Sequence, residues 1–195
     1  MIALQYINDF VDFCTNFISN GGLFFGFFLI LLESFIPVLP LGVFVALNVN
    51  AFGGIIGIVL SWSATCLGCF ISYTFFSFLS DKFLHKFLSS KTLKQVDKAI
   101  DKFRKISFSN LVLVIALPFT PAFLINIICG IARVSRRKFL FAIFIGKVFM
   151  ITFWGYVSKS LIESITDINT IIIVSLMLVM AYIVSKIVSK RVDLD

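Results

Sequence analysis

Basic residues are missing from the first 81 positions: no Lys or Arg precedes Lys82. Charge is scarce throughout, at 14% of residues against about 25% in an average soluble domain. There is one His, and the four Cys are scattered. Cys66-x-x-Cys69 has no second ligand pair and no nearby His, so a metal or redox centre is not expected and the cysteines read as small packing residues. No cofactor is implied. The chain starts without a basic n-region and no A-x-A site follows the first apolar run, so no cleaved leader is expected. No cluster of His, Asp or Glu stands at lipid–water depth to supply acid–base or metal chemistry, which disfavours an enzyme.

Apolar residues are abundant instead. Of 195 residues, 59% are apolar and 25 are Phe; mean hydropathy is +1.05. A soluble domain of this size leaves roughly 30% of its potential surface exposed, so much of this apolar content would face water. An all-α integral membrane protein is the class that remains. The net charge of +7 is concentrated. Eight of the 17 basic residues lie in Lys82–Lys105, four in Arg133–Lys138 and three in Lys186–Arg191. Short clusters between apolar runs mark cytosolic loops by the positive-inside rule rather than a nucleic-acid surface. The basic loops 81–105 and 133–138 and the C-terminus are therefore placed in the cytosol.

Residues 1–20 have the spacing of an amphipathic interfacial helix, with Ile7, Phe10, Val11, Cys14, Phe17 and Ile18 on one face. A membrane domain is expected over 21–165. Its first run, 22–49, is interrupted by Pro37 and Pro40. Its second, 52–80, is uncharged up to Leu79 and, at 1.5 Å per residue, is about 42 Å long, enough to cross a ~30 Å core. Basic surface helices follow over 81–105, held to anionic lipid by Lys side chains. A third run, 106–132, is broken by Pro118 and Pro121, and a fourth, 139–161, carries Lys147. A C-terminal helix over 168–188 completes three full transmembrane helices.

Two prolines three apart remove donors and clash with the preceding turn. In hydrocarbon each freed carbonyl costs several kcal/mol unless it is sheltered. Basic clusters flank 106–132 on both sides, so a re-entrant hairpin keeps both in the cytosol; a pair of Pro-kinked single spans is the alternative. The order of broken run then unbroken span occurs twice with opposite direction, the pattern of an inverted repeat. The fold expected is thus an inverted-repeat helical bundle with two facing re-entrant hairpins around a polar cavity. By that symmetry the N-terminus is outside.

Glu33 is the acid deep in an apolar run. Such an acid costs roughly 2.5–3.5 kcal/mol on insertion scales, so it marks a substrate or proton path, or else sits hydrated near the headgroups. Lys147 lies about nine residues into its span; it snorkels, or pairs with Glu33 or an anionic headgroup. Asn126 either reaches across the second hairpin or closes its own turn. Gly68 and Gly146 allow close helix approach. Trp62, Trp154, Tyr73 and Tyr156 read as interface anchors, and His85 as surface.

The string Pro118-x-x-Pro121, Asn126, Gly130, Arg133-Val-Ser-Arg-Arg-Lys-Phe139, Gly146, after Glu33-x-x-x-Pro37-x-x-Pro40 and Gly68-x-x-x-x-Tyr73, resembles the DedA / VTT-domain family, also called SNARE-associated Golgi proteins. It is most similar to a bacterial branch related to yeast Tvp-type Golgi proteins. The likeness spans about residues 22–160. It implies two facing hairpins in a bacterial plasma membrane and translocation of lipids, undecaprenyl phosphate or phospholipid, with protons coupled in some relatives. Carried over by position, Glu33 matches the family acid and Pro37, Pro40, Pro118 and Pro121 the hairpin turns. Asn126 and Gly130 match the second hairpin arm. Two positions depart: Ile115 stands where the family commonly has Arg, and Cys69 where many members have an acid. Lys147 or Arg133 is then the cation left to take that place. The partners implied are membrane lipids, with a homodimer as the assembly so small a bundle would form. An ion- or proton-coupled carrier of a small solute and a non-transporting organising protein are the other readings.

Overall fold

A computed structural model of the chain describes residues 2–36, 41–78, 90–120, 122–163 and 168–192. Side-chain surroundings are described within 15–36, 41–78, 97–98, 100–120, 122–157 and 172–188. Among the described residues the protein is helical with no strand. In chain order the helices are α1 (Ile2–Glu33), α2 (Leu41–Phe52), α3 (Gly54–Phe78), α4 (Ser90–Lys105), α5 (Phe108–Ala116), α6 (Ala122–Ile131), α7 (Arg136–Glu163) and α8 (Ile168–Val192). Pro37, Pro40, Pro121 and His85 lie outside the described residues.

The boundaries follow local chemistry. Gly53 turns α2 into α3 with φ 85°, a left-handed value glycine adopts at little cost. Ser107 caps α5, its hydroxyl accepting from the Asn110 N–H at 3.2 Å. Leu117, extended at φ −70° and ψ 125°, ends α5 because the residue before a proline is forced out of the helical region. After α6 the Val134 N–H bonds the Cys129 carbonyl and the Arg133 N–H the Gly130 carbonyl. That is a Schellman cap, and Arg133 occupies its left-handed position at φ 52°.

Among the described residues three segments are long and apolar enough to cross a membrane: Thr15–Glu33, Gly54–Phe78 and Arg136–Val157. The last two fall on the spans expected over 52–80 and 139–161. Within α1, Gly22 is non-helical at φ 68° and ψ −175°, so two helices meet there, close to the boundary expected between 1–20 and the run that begins at 22. Of the 25-residue α8, the described stretch Ile172–Val188 is apolar. Outward faces are greasy: Phe24, Ile55, Phe141 and Phe149 are each more than half exposed, as suits helices surrounded by acyl chains rather than water.

Each broken run folds back on itself. In the first half the Asn48 side chain donates to the Gly26 carbonyl at 3.2 Å, so α2 returns alongside the last turns of α1. In the second half Lys138 Nζ donates to the Ile106 carbonyl, so the two ends of 106–138 meet. At nine and ten residues, α5 and α6 are about 14 and 15 Å long, each too short to cross. The first arm of each hairpin packs on the long helix of its own half, α1 on α3 and α5 on α7. The second arms also reach the opposite half: α2 packs on α7, and α6 packs on α3.

Two apolar clusters hold the ends. One gathers Tyr73, Ile100, Phe103, Ile106, Ile131, Val134 and Phe139. Here α4 is anchored by Ile100 and Phe103 in protein, while Asp97, Lys98, Asp101 and Lys102 face outward. The other joins Ile30, Val45, Val49, Ala64, Met150 and Ile151. Trp62 and Tyr73 have protein partners in place of the interface role read from sequence. Trp62 Nε1 donates to the Phe144 carbonyl at 3.1 Å, and the Tyr73 hydroxyl donates to the Val134 carbonyl. Trp154 packs on Gly42 and Phe119. The expected consequence at the α6 cap is that Arg133→Gly raises stability by about 1 kcal/mol, because glycine removes the left-handed penalty. A higher unfolding midpoint in detergent checks this.

Candidate functional site: a buried polar cluster between the halves

Glycines bring the hairpins onto the long helices. A Cβ on Gly68 would stand 2.5 Å from Ser34 Oγ and 3.1 Å from the Leu31 carbonyl. A Cβ on Gly146 would stand 2.7 Å from Ile115 Cγ2 and 3.1 Å from the Val112 carbonyl. The two contacts are equivalent. Ser34 lies three residues before Pro37, and Ile115 three before Pro118; each meets the glycine near the middle of its own half's long helix. Gly130 lets α6 press against α3 in the same way, with the Tyr73 carbonyl 2.7 Å from a built Cβ.

This packing buries charge. Glu33, at the end of α1, is 9% exposed, and Lys147, on α7, is 2% exposed. The Lys147 ammonium acts electrostatically on the Glu33 carboxyl. They form no direct ion pair, however. Lys147 Nζ donates to the Met150 thioether at 3.3 Å, while Glu33 Oε2 has no hydrogen-bond partner. The close pairing considered from sequence is therefore replaced by two separated charges. A thioether is a weak acceptor, so the ammonium lacks the charged or strongly accepting neighbours that buried cations ordinarily keep.

Asn126, 2% exposed on α6, joins them. Its Nδ2 is without a partner, so the amide does not donate to its own turn. With Lys147 it lines a small recess walled by Val114, Ile115, Ile125 and Ile143, with room for about one water. Ser34 Oγ and Ser72 Oγ are likewise buried and unpartnered. Orphaned buried polar atoms are costly, at about 1–3 kcal/mol each, and native structures keep few of them.

Of the residues singled out from sequence, the fold brings Glu33, Lys147 and Asn126 together with Gly68 and Gly146. Arg133 is not among them. It is exposed at the end of α6, and Lys147 is eleven residues into α7 from Arg136, about 16 Å along that helix. The sequence reading missed Ser34, Ser72 and Asn48. Their signal was available as hydroxyls and an amide within apolar runs, but single Ser residues are common in such runs and carry little information alone. Among the described residues, no group of three His, Cys, Asp or Glu could hold a metal ion.

Residues 39–160 match the VTT domain, and with more than half of the sequence covered the chain belongs to that family, the DedA proteins. It is similar to YhjE, an uncharacterized membrane protein of Bacillus subtilis (strain 168), with 33% identity over 160 residues, 80% of this chain and 75% of that one. It is also similar to YqeD, an uncharacterized protein of the same strain, with 29% identity over 134 residues, 67% of this chain and 64% of that one. No solved structure matches it. With its family and its apolar helices, this is a multi-pass membrane protein.

Lys147→Met keeps the length of the side chain and removes its charge. The expected result is a protein more stable by about 1–3 kcal/mol, since a poorly compensated buried charge is exchanged for an apolar chain of similar volume. Chemical unfolding in detergent micelles measures it; a loss of stability would mean that the ammonium is structural.

Proposed function

We propose that this protein carries the headgroup of an anionic or zwitterionic lipid across the bilayer while the acyl or prenyl tails stay outside the bundle. The single observation behind the reading is the buried Lys147 ammonium beside the unpartnered Asn126 amide. A phosphate oxygen is the acceptor both donors lack, and charge-assisted bonds of this kind are among the stronger ones. The apolar outer faces of α1, α3 and α7 suit tails that never leave lipid. Undecaprenyl phosphate and phospholipids share the required phosphate. The resemblance to lipid-moving relatives points the same way.

On this reading the protein sits in a bacterial plasma membrane. The corner holding Arg133, Arg136, Arg137 and α4 faces the cytosol, as the positive-inside rule demands. The two hairpins then dip into the bilayer from opposite faces, and their tips meet where Phe119 and Gly42 flank Trp154. Glu33 acts on the cation only at a distance, which leaves the ammonium open to a phosphate that enters.

Reconstitution into liposomes with lipids labelled on one leaflet tests this. Flip of labelled phosphatidylethanolamine or of a polyprenyl phosphate is expected to exceed that of protein-free vesicles. Lys147→Met and Glu33→Gln should each lower the rate by roughly tenfold or more, equivalent to at least about 1.4 kcal/mol of barrier. Flip no faster than in empty vesicles for every lipid tried would overturn the proposal.

A further inference from the structure

The two halves share a plan but not a lining. Setting Gly68 on Gly146 aligns α3 with α7. Ser61, Thr65 and Ser72 of α3 then fall on Phe139, Ile143 and Met150 of α7. All six are buried. The same holds at the hairpin tips, where Glu33 and Ser34 correspond to Val114 and Ile115 by their distance from the first proline. One half therefore presents acid and hydroxyls wherever the other presents hydrocarbon.

The hydroxyls form a line. Positions 61, 65, 68 and 72 recur at helical spacing and share one face of α3. From Ser61 to Ser72 the line is about 16 Å long. At its first end Ser61 Oγ accepts from Asn48 Nδ2 at 3.2 Å. Two residues on, the exposed Asn50 donates to Thr15 Oγ1 at 3.0 Å. Next along the line, the Thr65 hydroxyl donates to the Ser61 carbonyl at 2.7 Å, which leaves its lone pairs open. Ser34 then meets Gly68 beside Glu33. The orphaned Oγ atoms of Ser34, at Gly68, and of Ser72 lie on this line, and the orphaned Glu33 Oε2 belongs to the residue next to Ser34. One turn past Ser72 the face becomes Phe76, packed edge-on against Phe123 of α6 at 6.0 Å.

We propose that this face of α3 is a half-channel for water and protons, open at the Asn50 end and reaching Glu33, with the Phe76–Phe123 contact beyond Ser72 as the gate that passes the proton to the other side when it opens. Buried polar groups without protein partners are where ordered water resides, and a chain of hydroxyls and water is a route a proton can follow to a carboxylate. The open end is the one away from the basic corner at Val134 and Lys138. On the orientation given above, it faces the outside. The Lys147 ammonium on α7 acts on the Glu33 carboxyl; the buried ionisable groups of α3 are Cys66, Cys69 and Tyr73, and α2 supplies none. A proton arriving at Glu33 makes the carboxyl neutral and leaves Lys147 as the sole charge of the site. The proton thus switches the affinity of the site for an anion. The inference depends on the lipid reading only for that last step.

Proton entry is measured with the full chain in liposomes holding a pH-sensitive dye, driven by a potassium gradient with valinomycin. Wild-type vesicles should acidify faster than protein-free ones. Thr65→Val, the same shape without the hydroxyl, should slow entry by about tenfold, a change of about 1.4 kcal/mol in barrier; Glu33→Gln should do the same. Ser72→Thr should keep the flux and its isostere Ser72→Val should lose it, which separates the hydroxyl from any effect of packing. Wild-type rates in Thr65→Val, or no entry above empty vesicles, overturns the half-channel. Lipid flip in the same vesicles distinguishes the two readings. Flip without proton entry removes the half-channel and leaves translocation; proton entry without flip does the reverse.

Discussion

A helix of ten residues has open ends, and hydrocarbon offers them nothing to bond to. That constraint shapes this protein. On the re-entrant placement proposed above, the carbonyls at the end of α5 and the donors at the start of α6 must be enclosed by protein, because the bilayer cannot solvate them. The fold answers by laying each hairpin's first arm on the long helix of its own half and carrying the second across to the long helix of the other. Close approach is what makes the enclosure tight, and Gly68, Gly130 and Gly146 supply it. Any side chain larger than hydrogen at these positions would wedge a hairpin away from its cover.

Enclosure has a second result. Once the hairpin tips are pressed against the middles of α3 and α7, whatever they carry is buried too. In the second half they carry Val114 and Ile115; in the first, Glu33 and Ser34. The long helices differ in the complementary sense, with Lys147 on α7 one residue past its glycine and Cys69 at the same place on α3. Opposite charges thus come from opposite halves and stop short of contact. An arrangement that stores charges apart in a low-dielectric interior is held at a cost in stability, and such costs persist where they serve a function.

The sequence made the architecture readable because membrane solvent enforces strong patterns. Apolar runs located the long helices to within a few residues. Helices stand on either side of each proline pair, α1 and α2 about the first and α5 and α6 about the second. Glycine and polar residues near 20–22 read as an ending, and Gly22 does leave the helical region there, with a second helix resuming immediately beyond it. Charges deep in apolar runs were visible at Glu33 and Lys147, and the fold places them in one site. Their separation was not visible, because it is set by where α7 lies relative to α1, a distance no local spacing encodes. Arg133 was drawn in by its charge alone; its backbone role as the αL residue of a helix cap depends on φ, which composition does not reveal.

The exchange of arms between halves bears on how the chain is made. Residues 41–52 of α2 find part of their cover on α7, whose residues near Met150 and Trp154 emerge about a hundred positions later. At ribosomal speeds of about 5–20 residues per second, the first hairpin waits on the order of 5–20 s for that surface to be synthesised. Neither repeat is complete by itself, so the early segment must be sheltered by the insertion machinery or by its own first-half helices until the later one arrives. Biogenesis, rather than the finished bundle, is then the stage at which a weak first hairpin does the most harm.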